Sequence, residues 1–289
     1  MQLSFLPDEA TSNFVEGLTL GVELGLRCAE VRLVDGVNVL DMTDAQIQQA
    51  KQQLDDHGMA VSAIATPFFK TALPGQEPST SGPLHGARVL TYEDHVALLT
   101  RGVEIAQAFD APAMRIFSFW RDSARGHDDV FWESLQMAVD ATLEATAGSG
   151  VTPCLENEGA CFIGTSAELA EVARRIPNTA LQFIWDPGNS SYCGMPPRSE
   201  DFAIFSKRIG LVHLKDAHYN PETGKADAKL IGSGDTNFHA ELQRLASVDY
   251  TGRLTFEPHY QPNGDGIVGM RESVNAIRQI ADELNISLN

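Results

Sequence analysis

The sequence Pro153-Cys154-Leu155-Glu156 is a short apolar run that ends on a carboxylate. A short apolar run of this kind is typical of a buried strand in a parallel sheet. The arrangement recurs toward the C-terminus, each time with a polar residue at the end of the run. The further runs are Leu181-Gln182-Phe183-Ile184-Trp185-Asp186, Leu211-Val212-His213 and Leu254-Thr255-Phe256-Glu257.

Strand-like runs and helical patterns alternate along the whole chain of 289 residues. Eight βα units in about 250 residues are typical of a (β/α)8 barrel. A doubly wound sheet, which would need fewer strands and a switch point, is the structural alternative. We therefore predict an α/β fold with a single TIM-barrel domain that spans residues 1–289. The predicted strands lie near residues 2–6, 29–33, 60–65, 112–117, 152–156, 181–185, 210–214 and 253–257.

The connection at residues 66–90 differs from the other predicted loops. It contains several prolines and glycines, among them Pro67 and Pro83, and is too broken for a helix. Because it follows the third strand, we expect it at the C-terminal rim of the barrel, where long loops often act as lids. A solvated surface insertion is the alternative interpretation.

The polar residues that end the last four strands predict a metal centre. Glu156, Asp186 and His213 lie roughly one βα unit apart, about 31 residues in such a barrel, and an insertion around residues 219–236 lengthens the last step to Glu257, so the four side chains should meet at one rim. Taken singly, each has an ordinary role as a helix cap, a turn residue or a buried histidine. Together they form a ligand set for a divalent ion. The predicted ligands are Glu156, Asp186, His213 and Glu257.

The ligand types indicate which ion and which chemistry to expect. Oxygen ligands suit Mn²⁺ or Mg²⁺, and one imidazole moves the balance toward Mn²⁺, Co²⁺ or Zn²⁺, so we favour Mn²⁺. A divalent ion can polarise a carbonyl and its neighbouring hydroxyl, which makes an α-proton acidic enough for a carboxylate to remove. We predict Glu156 and Glu257 as catalytic acid/base groups. Bases on two faces of an enediolate give epimerisation, and one base gives isomerisation.

Further residues near the same rim are candidates for contacting the substrate. Lys215 points to the same side as His213 under strand alternation, and it can bind a substrate oxygen or form a rim salt bridge. Arg115 lies inside an apolar strand, where an unpaired charge is costly, so it should pair with a ligand carboxylate or with substrate. Glu30, on the second predicted strand, is a further candidate for contacting the substrate. The other candidates are Asn189, Glu158, His218, His259, Trp120 and Phe68, with core or lid packing as the alternative for the aromatic residues.

The turn Gly232-Ser233-Gly234-Asp235 precedes a helix, where backbone amides can cradle an anion. A lone G-x-G is weak support for an anion site, and we favour a tight loop as the explanation.

Composition limits the partners and the setting of the protein. A formal net charge of −18 repels phosphate backbones and anionic lipid, so we predict a small-molecule carbohydrate partner, with neither nucleic acid nor membrane. The four cysteines form no C-x-x-C pair, no basic residue precedes Arg27, and no apolar run approaches about 18 residues. These features predict a cytoplasmic protein. A homo-oligomer formed through the rim loops is compatible with them.

The chain resembles the sugar phosphate isomerase/epimerase superfamily, the xylose isomerase-like TIM barrels that also include endonuclease IV. The resemblance covers most of the chain and implies a metal on Glu156, Asp186, His213 and Glu257, with the two glutamates transferring protons. It rests on Leu155-Glu156-Asn157, Asp186-Pro187-Gly188-Asn189, Val212-His213-Leu214-Lys215-Asp216, Ile231-Gly232-Ser233-Gly234-Asp235, and Tyr250-Thr251-Gly252 leading to Phe256-Glu257-Pro258-His259.

Departures from two branches of this superfamily narrow the expected function. Ketohexose epimerases tend to carry His where this chain has Asn189, and Arg near the place of Tyr219, which argues against a ketohexose 3-epimerase. Endonuclease IV carries Asp-Arg-His where this chain reads Ala226-Asp227-Ala228, which argues against a three-zinc nuclease.

The expected function is a metal-dependent isomerase or epimerase of a sugar, keto-sugar or polyol-derived ketone, working through an enediolate. A lyase of the inosose or dehydroshikimate dehydratase type shares this chemistry and remains an alternative. A barrel that binds a sugar without turnover is a third interpretation.

Overall fold

The computed structural model describes residues 1–122 and 124–289, and within them eight parallel strands close into a barrel. Each strand pairs with its neighbours in the chain, and the last pairs with the first. The prediction of a TIM barrel is confirmed. The strands are β1 (Gln2–Phe5), β2 (Cys28–Val31), β3 (Ala60–Phe68), β4 (Ala113–Ile116), β5 (Thr152–Glu156), β6 (Gln182–Trp185), β7 (Ile209–Leu214) and β8 (Arg253–Phe256).

Helices surround the barrel and bury their apolar faces against the outer side of the strands. Side-chain caps begin many of them; Thr43 and Thr165, for example, each start a capping box with the residue three positions later. The helices are α1 (Pro7–Ala10), α2 (Phe14–Glu23), α3 (Asp44–Asp56), α4 (Tyr92–Ala108), α5 (Asp129–Thr146), α6 (Ser166–Arg175), α7 (Pro187–Tyr192), α8 (Ser199–Phe205), α9 (Phe238–Ser247) and α10 (Gly266–Glu283).

Shorter elements decorate the rims of the barrel. Two hairpins pair Leu33–Val34 with Val37–Asn38, and Asp216–Asn220 with Lys225–Lys229. Single 3₁₀ turns cover Val39–Asp41, Ser206–Arg208 and Pro262–Gly264. None of the helices in the described ranges is both long and apolar enough to cross a membrane.

The barrel interior places the predicted ligands at its mouth. A layer of small and apolar side chains fills the middle of the barrel, and it includes Cys154, Ile184 and Leu211. Because inward-facing residues alternate along a strand, the next inward positions on β5, β6 and β7 fall two residues later. Those positions are Glu156, Asp186 and His213.

Strand β3 extends three residues beyond the predicted end at residue 65, so Pro67 belongs to the strand and the loop begins at residue 69. The pairing of β3 with β4 shifts register between Ile64 and Phe68, and a proline is tolerated at such an irregularity because it has no amide to donate. The loop ends where α4 begins at Tyr92.

Candidate metal centre

The four predicted ligands converge at the C-terminal mouth of the barrel. One ligand atom from each of Glu156, Asp186, His213 and Glu257 lies within 4.8 Å of all the others, and all four residues are buried. They come from four neighbouring strands, β5 to β8, whose parallel pairing brings the strand ends to one rim.

The imidazole of His213 stands between carboxylates. Its Nε2 lies 3.0 Å from Glu30 Oε2, while Nδ1 lies 3.2 Å from Glu156 Oε1 and 3.3 Å from Glu257 Oε2. When Nε2–H is donated to Glu30 and Nδ1 is deprotonated, the Nδ1 lone pair and the two carboxylates present three donors to one point, a set that suits a divalent ion.

Two basic residues contact the ligand set directly. Lys215 Nζ lies 2.8 Å from Asp186 Oδ2 and 2.9 Å from Glu257 Oε2. Arg115 donates to Glu156 Oε2 at 2.9 Å and to the carbonyl oxygens of Ala65 and Thr66. The pairing of Arg115 with a ligand carboxylate explains how a buried guanidinium is tolerated inside an apolar strand.

Arg32 adds a third buried cation that the sequence did not indicate. Its guanidinium contacts Asp8 Oδ2 at 2.7 Å, Glu257 Oε1 at 2.9 Å and the carboxylate of Glu9. Arg32 lies just beyond β2 and does not belong to the series of strand-end residues by which the sequence indicated the candidate ligands. It fixes the second oxygen of Glu257, so this carboxylate is held from two sides.

Charge around the mouth favours a further cation. Permanent positive charges are supplied by Arg32, Lys70, Arg115 and Lys215. The carboxyl groups of the same cluster outnumber these cations even when a protonated His213 is added to them; they belong to Asp8, Glu9, Glu30, Glu156, Glu158, Asp186 and Glu257. Buried charge of one sign is costly, so a bound divalent ion would stabilise the cluster.

The protonation states of the ligands follow from these contacts. Burial raises the pKa of Glu257, but Lys215 and His213 outweigh it and hold that pKa well below its ordinary value. Burial likewise opposes ionisation of Glu156, yet His213 and Arg115 keep its pKa low. Burial raises the pKa of Asp186 to about 7 despite the nearby Lys215. Burial alone would lower the pKa of His213, but Glu30 and Glu156 raise it well above its usual value.

A cavity of about 280 Å³ opens beside the ligand set, and Glu158, Asn189, Tyr192 and His259 are among its lining residues. Asn189 Nδ2 donates to Asp186 Oδ2 at 3.1 Å, which ties the cavity wall to the ligand cluster. A larger cleft of about 520 Å³ lies at the opposite end of the barrel, where β5 and β6 begin. In TIM-barrel enzymes the active site lies at the C-terminal face, so the smaller cavity is the candidate.

The match to known proteins agrees with this geometry. Residues 18–280 match the family model described as xylose isomerase-like TIM barrel. The chain belongs to this family. A search of curated proteins found no match.

Solved structures of xylose isomerase-like barrels superpose over nearly the whole chain. A xylose isomerase domain protein from Planctomyces limnophilus is 18% identical, with 99% of this chain and 97% of that chain covered and a TM-score of 0.73. A Mycobacterium smegmatis xylose isomerase-like barrel in complex with magnesium is 17% identical, with coverages of 97% and 96% and a TM-score of 0.69. The 3-keto-D-glucoside 4-epimerase YcjR from E. coli is 15% identical, with coverages of 96% and 98% and a TM-score of 0.68.

Not every substrate candidate lies at the mouth of this xylose isomerase-like barrel. Phe68 is fully buried and packs against Gly102 and His95 of α4, behind β3, so the expectation that it lines the pocket is wrong. His218 is 56% exposed on a hairpin, where it pairs with Asp235 instead of facing the cavity. Trp120 packs in an apolar cluster with Phe117 and Cys161 beside the cavity. Glu158, Asn189 and His259 line the cavity itself.

Lys70 is a further mouth residue that the sequence analysis missed. Its Nζ lies 3.2 Å from Glu158 Oε2 and 4.6 Å from the centre of the Phe117 ring. It follows β3 at the start of the long loop, where periodicity cannot tell which way a side chain points. The contact with Glu158 places Lys70 next to the candidate cavity.

The backbone amides of the glycine turn bind a side chain of the protein itself, the carboxyl group of Asp216. The amides of Gly232 and Gly234 each donate to Asp216 Oδ2 at 2.9 Å, and the amide of Thr236 donates to Oδ1 at 3.0 Å. A Cβ at Gly234 would lie 2.4 Å from Asp216 Oδ1, which explains the glycine. The tight-loop interpretation therefore holds, since these amides are already used.

Proposed function

We propose that this protein is a divalent-metal-dependent isomerase or epimerase that acts on a sugar, keto-sugar or polyol-derived ketone through an enediolate. The observation that carries the proposal is the placement of Glu156 and Glu257. Both approach Nδ1 of His213, at 3.2 and 3.3 Å, yet they come from β5 and β8, three strand positions apart. Two carboxylates thus flank one point at the mouth of the barrel.

Glu156, Asp186, His213 and Glu257 would hold the ion, which when bound supplies Lewis-acid polarisation of a carbonyl and its neighbouring hydroxyl. We favour Mn²⁺ because the donors mix oxygen with one nitrogen, and Mg²⁺, Co²⁺ and Zn²⁺ suit the same set. The magnesium reported for the M. smegmatis barrel supports a divalent ion in this fold.

Glu156 and Glu257 are proposed to move the proton. A general base must be ionised, and the cations Arg115, Lys215 and Arg32 keep these two carboxylates so. Positioned on two sides of a planar enediolate, one glutamate is proposed to remove the proton, and the other, after taking a proton from solvent, to deliver it to the opposite face, which inverts the carbon. The name of the E. coli neighbour, an epimerase of a keto-glucoside, supports this chemistry.

Neighbouring side chains are proposed to orient the substrate. Lys215 can hold a substrate oxygen, and Glu158, Asn189 and His259 offer donors and acceptors to hydroxyl groups from the cavity wall. Arg115 positions Glu156 through its hydrogen bond of 2.9 Å. A cavity of about 280 Å³ suits a small carbohydrate better than a polymer.

We also propose the cellular setting and the partners. The cysteines are free, which suits the reducing cytoplasm, and the net charge of −18 disfavours nucleic acid. A small-molecule carbohydrate is the proposed partner, and a homo-oligomer through the rim loops is compatible with the fold.

Hydrogen exchange with solvent tests the proposal. Mn²⁺-loaded protein is incubated in deuterated water with a panel of ketoses, keto-glucosides and inososes, and the recovered sugars are analysed by NMR and mass spectrometry. Deuterium at the carbon next to the carbonyl, with the molecular mass otherwise unchanged, is the expected result. Loss of water with a new enone absorbance would identify a lyase. Binding without any exchange would identify a sugar-binding barrel and contradict the proposal.

A further inference from the structure

The long rim loop contains a tight turn at residues 84–87. The amide of Ala87 donates to the carbonyl of Leu84 at 3.1 Å, and the central residues His85 and Gly86 have φ angles of 47° and 70°. Two left-handed residues in succession define a type I′ turn, a position dominated by Gly, Asn and Asp. A histidine at such a position invites a search for a role of its side chain.

Contacts on both sides hold this turn beside the barrel mouth. Asn38 Nδ2 donates to the carbonyl of His85 at 3.2 Å, and Arg88 Nε lies 2.6 Å from Asp41 Oδ1. On the other side, Leu84 packs against the cluster that contains Phe117 and Trp120. Pro83 lines the candidate cavity. The loop is therefore a strap across the rim and not a free insertion.

The turn carries the imidazole of His85 at the edge of the barrel mouth. Its neighbours in the loop fix this position, because Pro83 lines the candidate cavity and Leu84 packs on the cluster of Phe117 and Trp120. The charged groups nearest in effect to the ring are Arg32, Lys70, Arg115 and Glu257. Burial lowers the pKa of His85 to about 2, and Arg32 adds to this effect, so the ring is neutral at working pH.

Within the described residues, the ring of His85 makes no hydrogen bond to the protein. A neutral imidazole carries one N–H donor and one lone pair, and both are therefore available to a ligand. The nearby cations are already engaged: Lys70 with Glu158, Arg115 with Glu156, and Arg32 with Asp8, Glu9 and Glu257. This environment favours an uncharged oxygen over a phosphate or a carboxylate.

We propose that His85 is a substrate-contacting residue, whose imidazole hydrogen-bonds a hydroxyl or carbonyl oxygen of a polyhydroxy substrate bound between the strap and the metal ligands. This inference rests on the proposed function. It makes the loop part of the binding site, where the sequence analysis allowed either a lid or a solvated insertion.

The test uses variants that keep the turn. His85→Gly and His85→Asn both tolerate a positive φ, so the backbone should stay intact while the imidazole is lost. His239→Ala, at an exposed helix position, is the matched control. Mn²⁺ affinity is measured by calorimetry for each protein, and KM and kcat are measured with the ketose from the panel that the parent protein exchanges fastest.

Both His85 variants are expected to bind Mn²⁺ as the parent does and to show KM raised about tenfold, the loss of roughly one hydrogen bond. The change in kcat should be smaller, and the pH profile should keep its shape because the lost ring was neutral. KM and kcat within twofold of the parent in both variants would overturn the inference. Absence of exchange in the parent itself would overturn the proposed function, and the role of His85 with it.

Discussion

Glu30 Oε2 lies 3.0 Å from Nε2 of His213, and both side chains are fully buried. A carboxylate that accepts the Nε2 proton orients the ring and leaves Nδ1 toward Glu156 and Glu257. Such partners of metal-binding histidines tune affinity without touching the ion. The affinity of this centre should therefore depend on a residue of β2, across the barrel from β7.

Replacing Glu30 with Gln should weaken Mn²⁺ binding about 10- to 100-fold, because the neutral amide orients and polarises the imidazole less well. Calorimetric titration of the metal-free protein measures the change. Glu133→Gln, an exposed position on α5, is the control and should bind as the parent does. Equal affinity in the Glu30 variant would show that Glu30 does not support the centre.

Replacing Lys215 with Met should destabilise the metal-free protein by about 3–5 kcal/mol, because Asp186 and Glu257 lose their buried partner. A divalent ion neutralises the same carboxylates, so the increase in melting temperature on adding Mn²⁺ should be larger than in the parent. Thermal unfolding with and without Mn²⁺ checks this, with Lys225→Met on the exposed hairpin as control. An Mn²⁺-induced increase in melting temperature no larger than that of the parent would show that Lys215 does not interact with the metal ligands.

Replacing Glu156 or Glu257 with Gln should lower turnover by about 10²- to 10⁴-fold, the usual contribution of a general acid or base. The two variants separate the reaction types. In an epimerase one of them should still exchange a substrate proton with solvent without inverting the carbon, since the other base remains. Deuterium exchange and product stereochemistry are measured together, and Glu133→Gln is again the control. Wild-type turnover in either variant would remove that glutamate from the mechanism.

The convergence of the four candidate ligands could be predicted from the sequence, because a closed barrel brings the ends of successive strands together at one rim. Glu156, Asp186, His213 and Glu257 each end an apolar run, with an insertion lengthening the last step, and parallel pairing brings such ends together. The groups that surround them carry no such signal. Arg32 follows β2 by one residue, and its contacts with Asp8 and Glu257 join segments from both ends of the chain.

Loops and strand irregularities limited the rest of the prediction. Pro67 made the end of β3 look like a loop, although a register shift keeps the strand paired as far as Phe68. The wrong placement of Phe68 followed from this error. Side chains in a strand alternate between its two faces, and Phe68 lies on the face that packs against α4. His85 lies on a loop whose course depends on distant anchors such as Asn38, which no local pattern reveals.

His95 should give stability a pH dependence that is separate from the site. Its ring lies between Phe68 and Phe69, and both ring nitrogens lack partners in the described structure. Burial lowers its pKa from 6.5 to about 4. Between pH 6.5 and about 4, His95 is therefore protonated in the unfolded chain but neutral in the folded protein. The free energy of unfolding should fall as the pH falls through this range, by up to about 3 kcal/mol.

The His95→Leu variant should lose this part of the slope. Urea unfolding at several pH values between 6.5 and 4 measures the free energy of unfolding, and His239→Gln at the surface is the control. Carboxylates titrate in the same range, so the comparison is the difference in slope between variant and parent. If the free energy of unfolding changes with pH in parallel for His95→Leu and the parent, the lowered pKa of His95 is contradicted.

A crystal structure of the protein soaked in Mn²⁺, with the ion located by anomalous scattering, is the most direct measurement. One strong peak is expected within about 2.5 Å of oxygens of Glu156, Asp186 and Glu257 and of Nδ1 of His213, with Lys215 displaced from the carboxylates. A peak elsewhere, or an unchanged Lys215 between Asp186 and Glu257 with no ion at saturating Mn²⁺, would contradict the shared metal centre.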